Sequence, residues 1–165
     1  MTMIEMELLD VRVEPPHNVP VVLLREPGTG RILPIYIGAS EATAIALAMQ
    51  HHETPRPMTH DLFRNVLDEL GVSLERVVVT ELQDKTFYAE LHLASSGKEK
   101  SVVVVSSRPS DAIALAVRVA APIFAAEQVL EEAAVILDDG DEDNQDQMVE
   151  QFREFIEKVN PEDFV

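Results

Sequence analysis

The chain has 165 residues, with 13 Lys and Arg against 30 Asp and Glu and no cysteine. That length suits one domain with a real core, since about 150 residues bury roughly 70% of their unfolded surface; the missing cysteine excludes disulfides, thiolate zinc sites and cysteine nucleophiles, leaving His, Asp and Glu as the strong metal ligands. A net charge of −17 lacks the basic footprint of nucleic-acid binders, so a polyanionic substrate would need local arginines or a metal ion.

In chain order, strands are expected near 4–13 ("IEMELLDVRV"), 20–25 ("PVVLLR") and 31–37 ("RILPIYI"), the last two joined by the turn "EPGTG". A helix follows from Ser40 to Gln50. "THDLFRNVLDELG" reads as the clearest helix, with Phe63, Val66, Leu67 and Leu70 on one face and Gly71 placed for a left-handed end. Three more strands fit 74–82, 86–94 and 101–106, with the turn "SSGKE" between the last two. A helix from Ser110 to Val119, a short strand at "PIFAA" and a helix over 127–134 complete the body. The expected fold class is α+β: a mixed, mainly antiparallel sheet with helices packed on it.

Sliding the sequence by 70 residues lays Ser40 on Ser110, Ala42 on Ala112, Ala44 on Ala114 and Ala46 on Ala116, with Glu41 opposite Asp111. This register suggests a duplicated β-β-β-α unit whose two Ser-acid-Ala helix starts face one cleft.

The charge is unevenly placed, because residues 131–165 carry 13 acidic and 2 basic side chains while residues 1–130 carry 17 and 11. Residues 1–136 are read as the domain, 137–147 ("LDDGDEDNQDQ") as a mobile acidic loop, and 148–165 as an amphipathic helix and tail with Met148, Phe152, Phe155, Ile156 and Val159 at helical spacing. A calcium loop opening at Asp138 would lack the bidentate Glu at its twelfth position, which is Val149. No apolar run reaches the about 18 residues of a membrane span, and the acidic start lacks the pattern of a signal peptide, so a cytoplasmic chain is expected.

Three segments share one design, a loop followed by a polar helix start: "GASEA" (38–42), "RPMTHDL" (56–62) and "RPSDAIALA" (108–116). Read conservatively, each is a capped helix: Ser40, Thr59 and Ser110 accept the first N–H groups, and Glu41, Asp61 and Asp111 complement the dipole. Arg56 and Arg108, each just before a helix N-terminus, also suit a phosphate held bidentately. Internal ion pairing of Arg108 with Asp111 or Glu41 competes with that reading. His60 has the chemistry of a general acid or base, or of a metal ligand with a carboxylate such as Asp61, although neighbouring helix positions point about 100° apart. A buried, hydrogen-bonded histidine is the alternative. His51 and His52 read as a solvated helix end, while His17 and His92 show no evident partners. No phosphate-binding loop, dinucleotide glycine pattern, nucleophile elbow or zinc-binding helix motif is present.

Taken together and in order, "LPIYIGASEATAIAL", "RPMTHDL", "TFYAEL" and "RPSDAIALAVR" followed by "PIF" resemble the bifunctional nuclease domain family of bacteria and plants. The resemblance covers residues 5–135, and the acidic tail resembles that of actinobacterial members. It implies an α+β fold, a homodimer or higher homo-oligomer, no membrane, and nuclease activity on RNA and DNA. On that reading His60, Asp61 and Asp111 are catalytic, and Arg56, Thr59, Arg108 and Ser110 hold phosphate. Glu41, Asp61 and Asp111 would then ligate a divalent metal such as Mg or Mn. The alternative is a non-enzymatic regulatory, ligand-binding or scaffold module, favoured by the acidic charge and by the scarcity of aromatic stacking platforms, with no Trp and 2 Tyr.

Overall fold

In the structure, a computed structural model, residues 1–136 are described apart from Pro15, His17 and Lys100. The expected acidic loop and C-terminal helix therefore lie outside the described residues. The elements run β1 (Met3–Glu14), β2 (Val19–Arg25), β3 (Arg31–Tyr36), α1 (Ala39–Met49), α2 (Thr59–Glu69), β4 (Val72–Gln83), β5 (Thr86–Ser95), β6 (Val102–Ser107), α3 (Pro109–Val119), β7 (Ile123–Ala126), α4 (Glu127–Ala133) and β8 (Val135–Ile136).

The eight strands form one sheet in the order β6-β5-β4-β7-β1-β2-β3-β8. Two antiparallel triplets, β1-β2-β3 and β4-β5-β6, are joined by β7, which runs parallel to β4 and antiparallel to β1. The fold is thus α+β with a mixed, mainly antiparallel sheet. The strand-strand-strand-helix order occurs twice, but the two halves continue differently: α1 leads through a linker to α2, whereas α3 leads into β7.

Local chemistry explains the turns. Asp84 and Lys85 both adopt positive φ, 48° and 63°, which matches the twist of a two-residue hairpin between β4 and β5. Gly30 at φ +73° closes the β2–β3 turn, where its N–H donates to the Glu26 carbonyl. Gly71 at φ +67° ends α2 as its position in the sequence predicts.

The main core cluster lies between sheet and helices, built on Val22, Leu24 and Leu33 from one side and Val77, Val79 and Leu91 from the other, and a smaller separate cluster gathers Val21, Leu23 and Ile32. Helix α3 lies at the centre of the main cluster, packed against α1, α2, β4 and β5. Residues Ala112 to Ala116 are all buried, so this helix is apolar nearly all round. Its alanines let three helices approach one another closely. Helix α2 departs from its pattern: of the expected apolar face only Leu67 is buried, while Phe63, Val66 and Leu70 remain exposed, as does Leu62 outside that face. The apolar stripe predicted a helix correctly, yet the described residues leave most of it uncovered.

Candidate functional site

The helix starts do not cap as expected. The residues flanking α1, α2 and α3 in extended conformation are Gly38 (ψ 158°), Met58 (ψ 176°) and Arg108 (ψ 143°), and none makes a side-chain cap. Each helix begins one or two positions earlier than a hydroxyl cap would place it, so Thr59 falls in the first helical position and Ser40 and Ser110 in the second, where their hydroxyls no longer meet the first N–H groups. Asp61 performs part of that role instead, accepting the Met58 N–H at 3.0 Å. Ser40 and Thr59 are exposed, while Ser110 is buried at 4% exposure.

The first turns of α1 and α3 do face each other, and Arg108 joins them. Its Nε donates to Asp111 Oδ2 at 2.9 Å, and its Nη2 donates to Glu41 Oε1 at 2.9 Å. Both acids sit at the third position of their helices, so two adjacent N-termini present carboxylates to one guanidinium. The Asp111 hydrogen bond first, and the Glu41 bond second, hold the Arg108 pKa above its ordinary value. Glu41 folds back over Gly38, where a β-carbon would run into its carboxylate.

From α2, His60 completes the network: its Nε2 lies 2.9 Å from Asp111 Oδ1. The His60 side chain is 13% exposed and that of Asp111 35%. An ionised carboxylate only accepts, so Nε2 donates the hydrogen, and in the neutral imidazole Nδ1 then keeps its lone pair. Among the described residues nothing hydrogen-bonds to Nδ1. The pair has the geometry of an oriented general base.

Asp61 is turned away from this network. Its Oδ1 accepts from Arg118 Nε at 2.7 Å, and Arg118, whose side chain is only 5% exposed, also donates to the Ala114 carbonyl. The Arg118 bond is the main reason that the Asp61 carboxyl titrates below its ordinary value. Neighbouring positions on α2 thus diverge, His60 to one end of α3 and Asp61 to the other, as the angle between successive helix residues requires. Arg56 is exposed and forms no ion pair among the described residues.

The structure therefore brings Glu41, His60, Arg108 and Asp111 together, and leaves Arg56 and Asp61 apart. Glu41, Asp61 and Asp111 do not form a ligand set: a guanidinium stands between the first and third, and the second belongs to Arg118. Among the described residues no three of His, Asp or Glu group as a metal ion would require. The residues as arranged do not fit a divalent ion. His92, read from the sequence as unpartnered, lies 3.2 Å from Glu90; alternate strand residues share a face, a proximity the sequence did contain.

Comparison with known proteins agrees with the motifs that build this network. The profile of the bifunctional nuclease domain matches residues 22–138. The chain belongs to the bifunctional nuclease domain family. Within reach of that domain, an uncharacterized protein of Mycobacterium tuberculosis is 46% identical over 165 residues, covering 97% of both chains. Bifunctional nuclease 2 of Arabidopsis thaliana is 34% identical over 108 residues, 66% of this chain and 32% of the plant protein. Bifunctional nuclease 1 of Oryza sativa subsp. indica is 29% identical over 116 residues, 70% of this chain and 35% of its own. The chain thus spans about a third of the plant bifunctional nucleases that it matches. No helix among the described residues is long and apolar enough to cross a membrane.

Proposed function

We propose that this chain hydrolyses phosphodiester bonds of RNA or DNA at the His60–Asp111 pair. The observation that carries the reading is the hydrogen bond that orients His60 between two helix N-termini, in a member of a nuclease-named family. His60 Nδ1 takes a proton from water as the water oxygen bonds to phosphorus, and the imidazolium returns that proton to the leaving oxygen as the P–O bond breaks. Asp111 steadies the imidazolium, and Nη1 of Arg108, on a side chain 65% exposed, donates to a phosphate oxygen. Asp61, held by Arg118, positions α2.

The test is cleavage of labelled single-stranded RNA and DNA by the purified chain, with His60→Gln and Asp111→Asn compared at equal folded fraction. Loss of about 100-fold or more in both variants is expected from removal of a general base. Retained cleavage in His60→Gln sinks the assignment. Parallel reactions with Mg, Mn or a chelator ask whether Glu41 or Asp111 exchanges Arg108 for a cation.

A second reading, a ligand-binding regulatory module, is favoured by the fact that Arg108 neutralises the two acids internally. Under it the chain shows no turnover, and melting rises with an anionic ligand.

We further propose a homodimer formed along β6. Support comes from an edge strand without a charged or proline guard over 102–107, whose four valines are 40–67% exposed. An antiparallel pairing about a two-fold axis places residues of equal face opposite each other. Centred on Val103 or on Val104, it sets valine against valine in either register.

A further inference from the structure

A polar pocket opens at the other end of α3 from the network, between the C-terminal ends of α1 and α3, the linker after α1 and the first turns of α2. Its volume is about 360 Å³, and its polar walls include His51, His52, Glu53, Asp61, Arg64 and Arg118. That volume lies within the roughly 300–1,000 Å³ of small-molecule sites.

The arginines of this acidic chain are mostly spent on carboxylates. Of the eight described, Arg12, Arg25, Arg31, Arg108 and Arg118 form ion pairs, and Arg76 lies over the Phe124 ring. Arg64 is half-buried in the pocket wall and has no carboxylate partner at ion-pair distance among the described residues. Its Nε and Nη2 both donate to one neutral oxygen, Asn65 Oδ1, at 3.4 and 3.2 Å, which leaves the remaining guanidinium donors unspent. Its charge does act on Asp61, as a minor cause of that carboxyl's lowered pKa. Asp61 itself is already satisfied by Arg118 and the Met58 N–H.

We propose that this pocket binds a phosphate monoester of mononucleotide size, with Arg64 holding the phosphate and His51 and His52 flanking it. The proposal goes beyond the hydrolysis reading and stands whether or not His60 is catalytic. Phosphate suits the wall because a guanidinium fork and two imidazoles favour an anion with several acceptor oxygens. The lining has no Phe or Tyr, so a base would find no aromatic platform and the phosphate would supply the main recognition.

The experiment titrates the full chain with 5′-AMP, adenosine and inorganic phosphate, read by calorimetry and by the imidazole NMR signals of His51 and His52. The expected result is saturable binding of 5′-AMP that shifts both imidazole signals, adenosine binding at least 10-fold weaker, and at least 10-fold weaker 5′-AMP binding in Arg64→Gln. His60→Gln should bind 5′-AMP as the parent does. The proposal is overturned if adenosine binds as well as 5′-AMP, if Arg64→Gln binds normally, or if the His51 and His52 signals of the parent chain stay still. The NMR arm needs no variant, so misfolding of Arg64→Gln would not rescue the idea.

Discussion

Replacing Arg118 by Met removes the charge that Asp61 faces while keeping most of the aliphatic volume, and we predict a loss of about 2–3 kcal/mol in folding stability at pH 7. For charge centres about 4 Å apart at an effective dielectric of about 20, the attraction is roughly 4 kcal/mol, against which the desolvation of both groups must be set. Breaking a buried pair by removing one partner costs about 3–5 kcal/mol. Asp61 retains 22% exposure and its bond to the Met58 N–H, which places the expected loss at or below the lower end. Urea unfolding followed by circular dichroism reads this as a lower midpoint at an unchanged slope. The double variant Asp61→Asn/Arg118→Met should be more stable than Arg118→Met alone, because no uncompensated carboxylate remains. The pH dependence gives an independent check. Asp61 titrates below its reference value of 3.8 in the folded chain, so its contribution is present above that value and is lost as pH falls through the lower folded pKa. The gap between the parent and Arg118→Met should therefore narrow below about pH 4. A cost under about 1 kcal/mol at pH 7, or a double variant less stable than the single, would refute the view of Asp61 as an anchor of α2.

Three further outcomes test other parts of the structure. Gly38→Ala is compatible with its backbone but drives a β-carbon into the Glu41 carboxylate, so it should cost about 1 kcal/mol in thermal unfolding and weaken any phosphodiester cleavage. Gly71→Ala must hold φ +67° and meets Ser96 Oγ at 2.9 Å; a loss of about 1–2 kcal/mol is expected, and a neutral result would contradict the left-handed end of α2. Val104→Lys on the β6 edge should convert the proposed dimer to monomer in sedimentation equilibrium without lowering helix content. A parent chain that is monomeric at high concentration removes that proposal outright.

Much of the architecture was written locally. Alternation and β-branched runs marked seven of the eight strands, and Gly30 and Gly71 marked two of the turns at positive φ, because these signals depend on residues close in sequence; Asp84 and Lys85 turn the β4–β5 hairpin without a glycine. β8 escaped, since two residues, Val135 and Ile136, carry no periodicity and become a strand only by pairing with Arg31 and Ile32. The hydroxyl residues misled because a helix can begin one or two positions earlier when tertiary packing favours it, and Gly38, Met58 and Arg108 have no capping side chains to announce it.

For the candidate site, the sequence by itself supplied the chemistry: a histidine, two arginines and three acids at helix starts, and the match of Glu41 with Asp111 at a spacing of 70 positions. Only the tertiary structure decided the partners. Arg108 reaches Glu41 across 67 positions and His60 reaches Asp111 across 51, distances in sequence over which no local rule acts. It also separated His60 from Asp61, which the sequence had grouped, and gave Asp61 to Arg118. The physical reason is that a side chain's role follows from which charge lies within hydrogen-bond reach, and that is set by how α1, α2 and α3 pack around the buried alanines of α3.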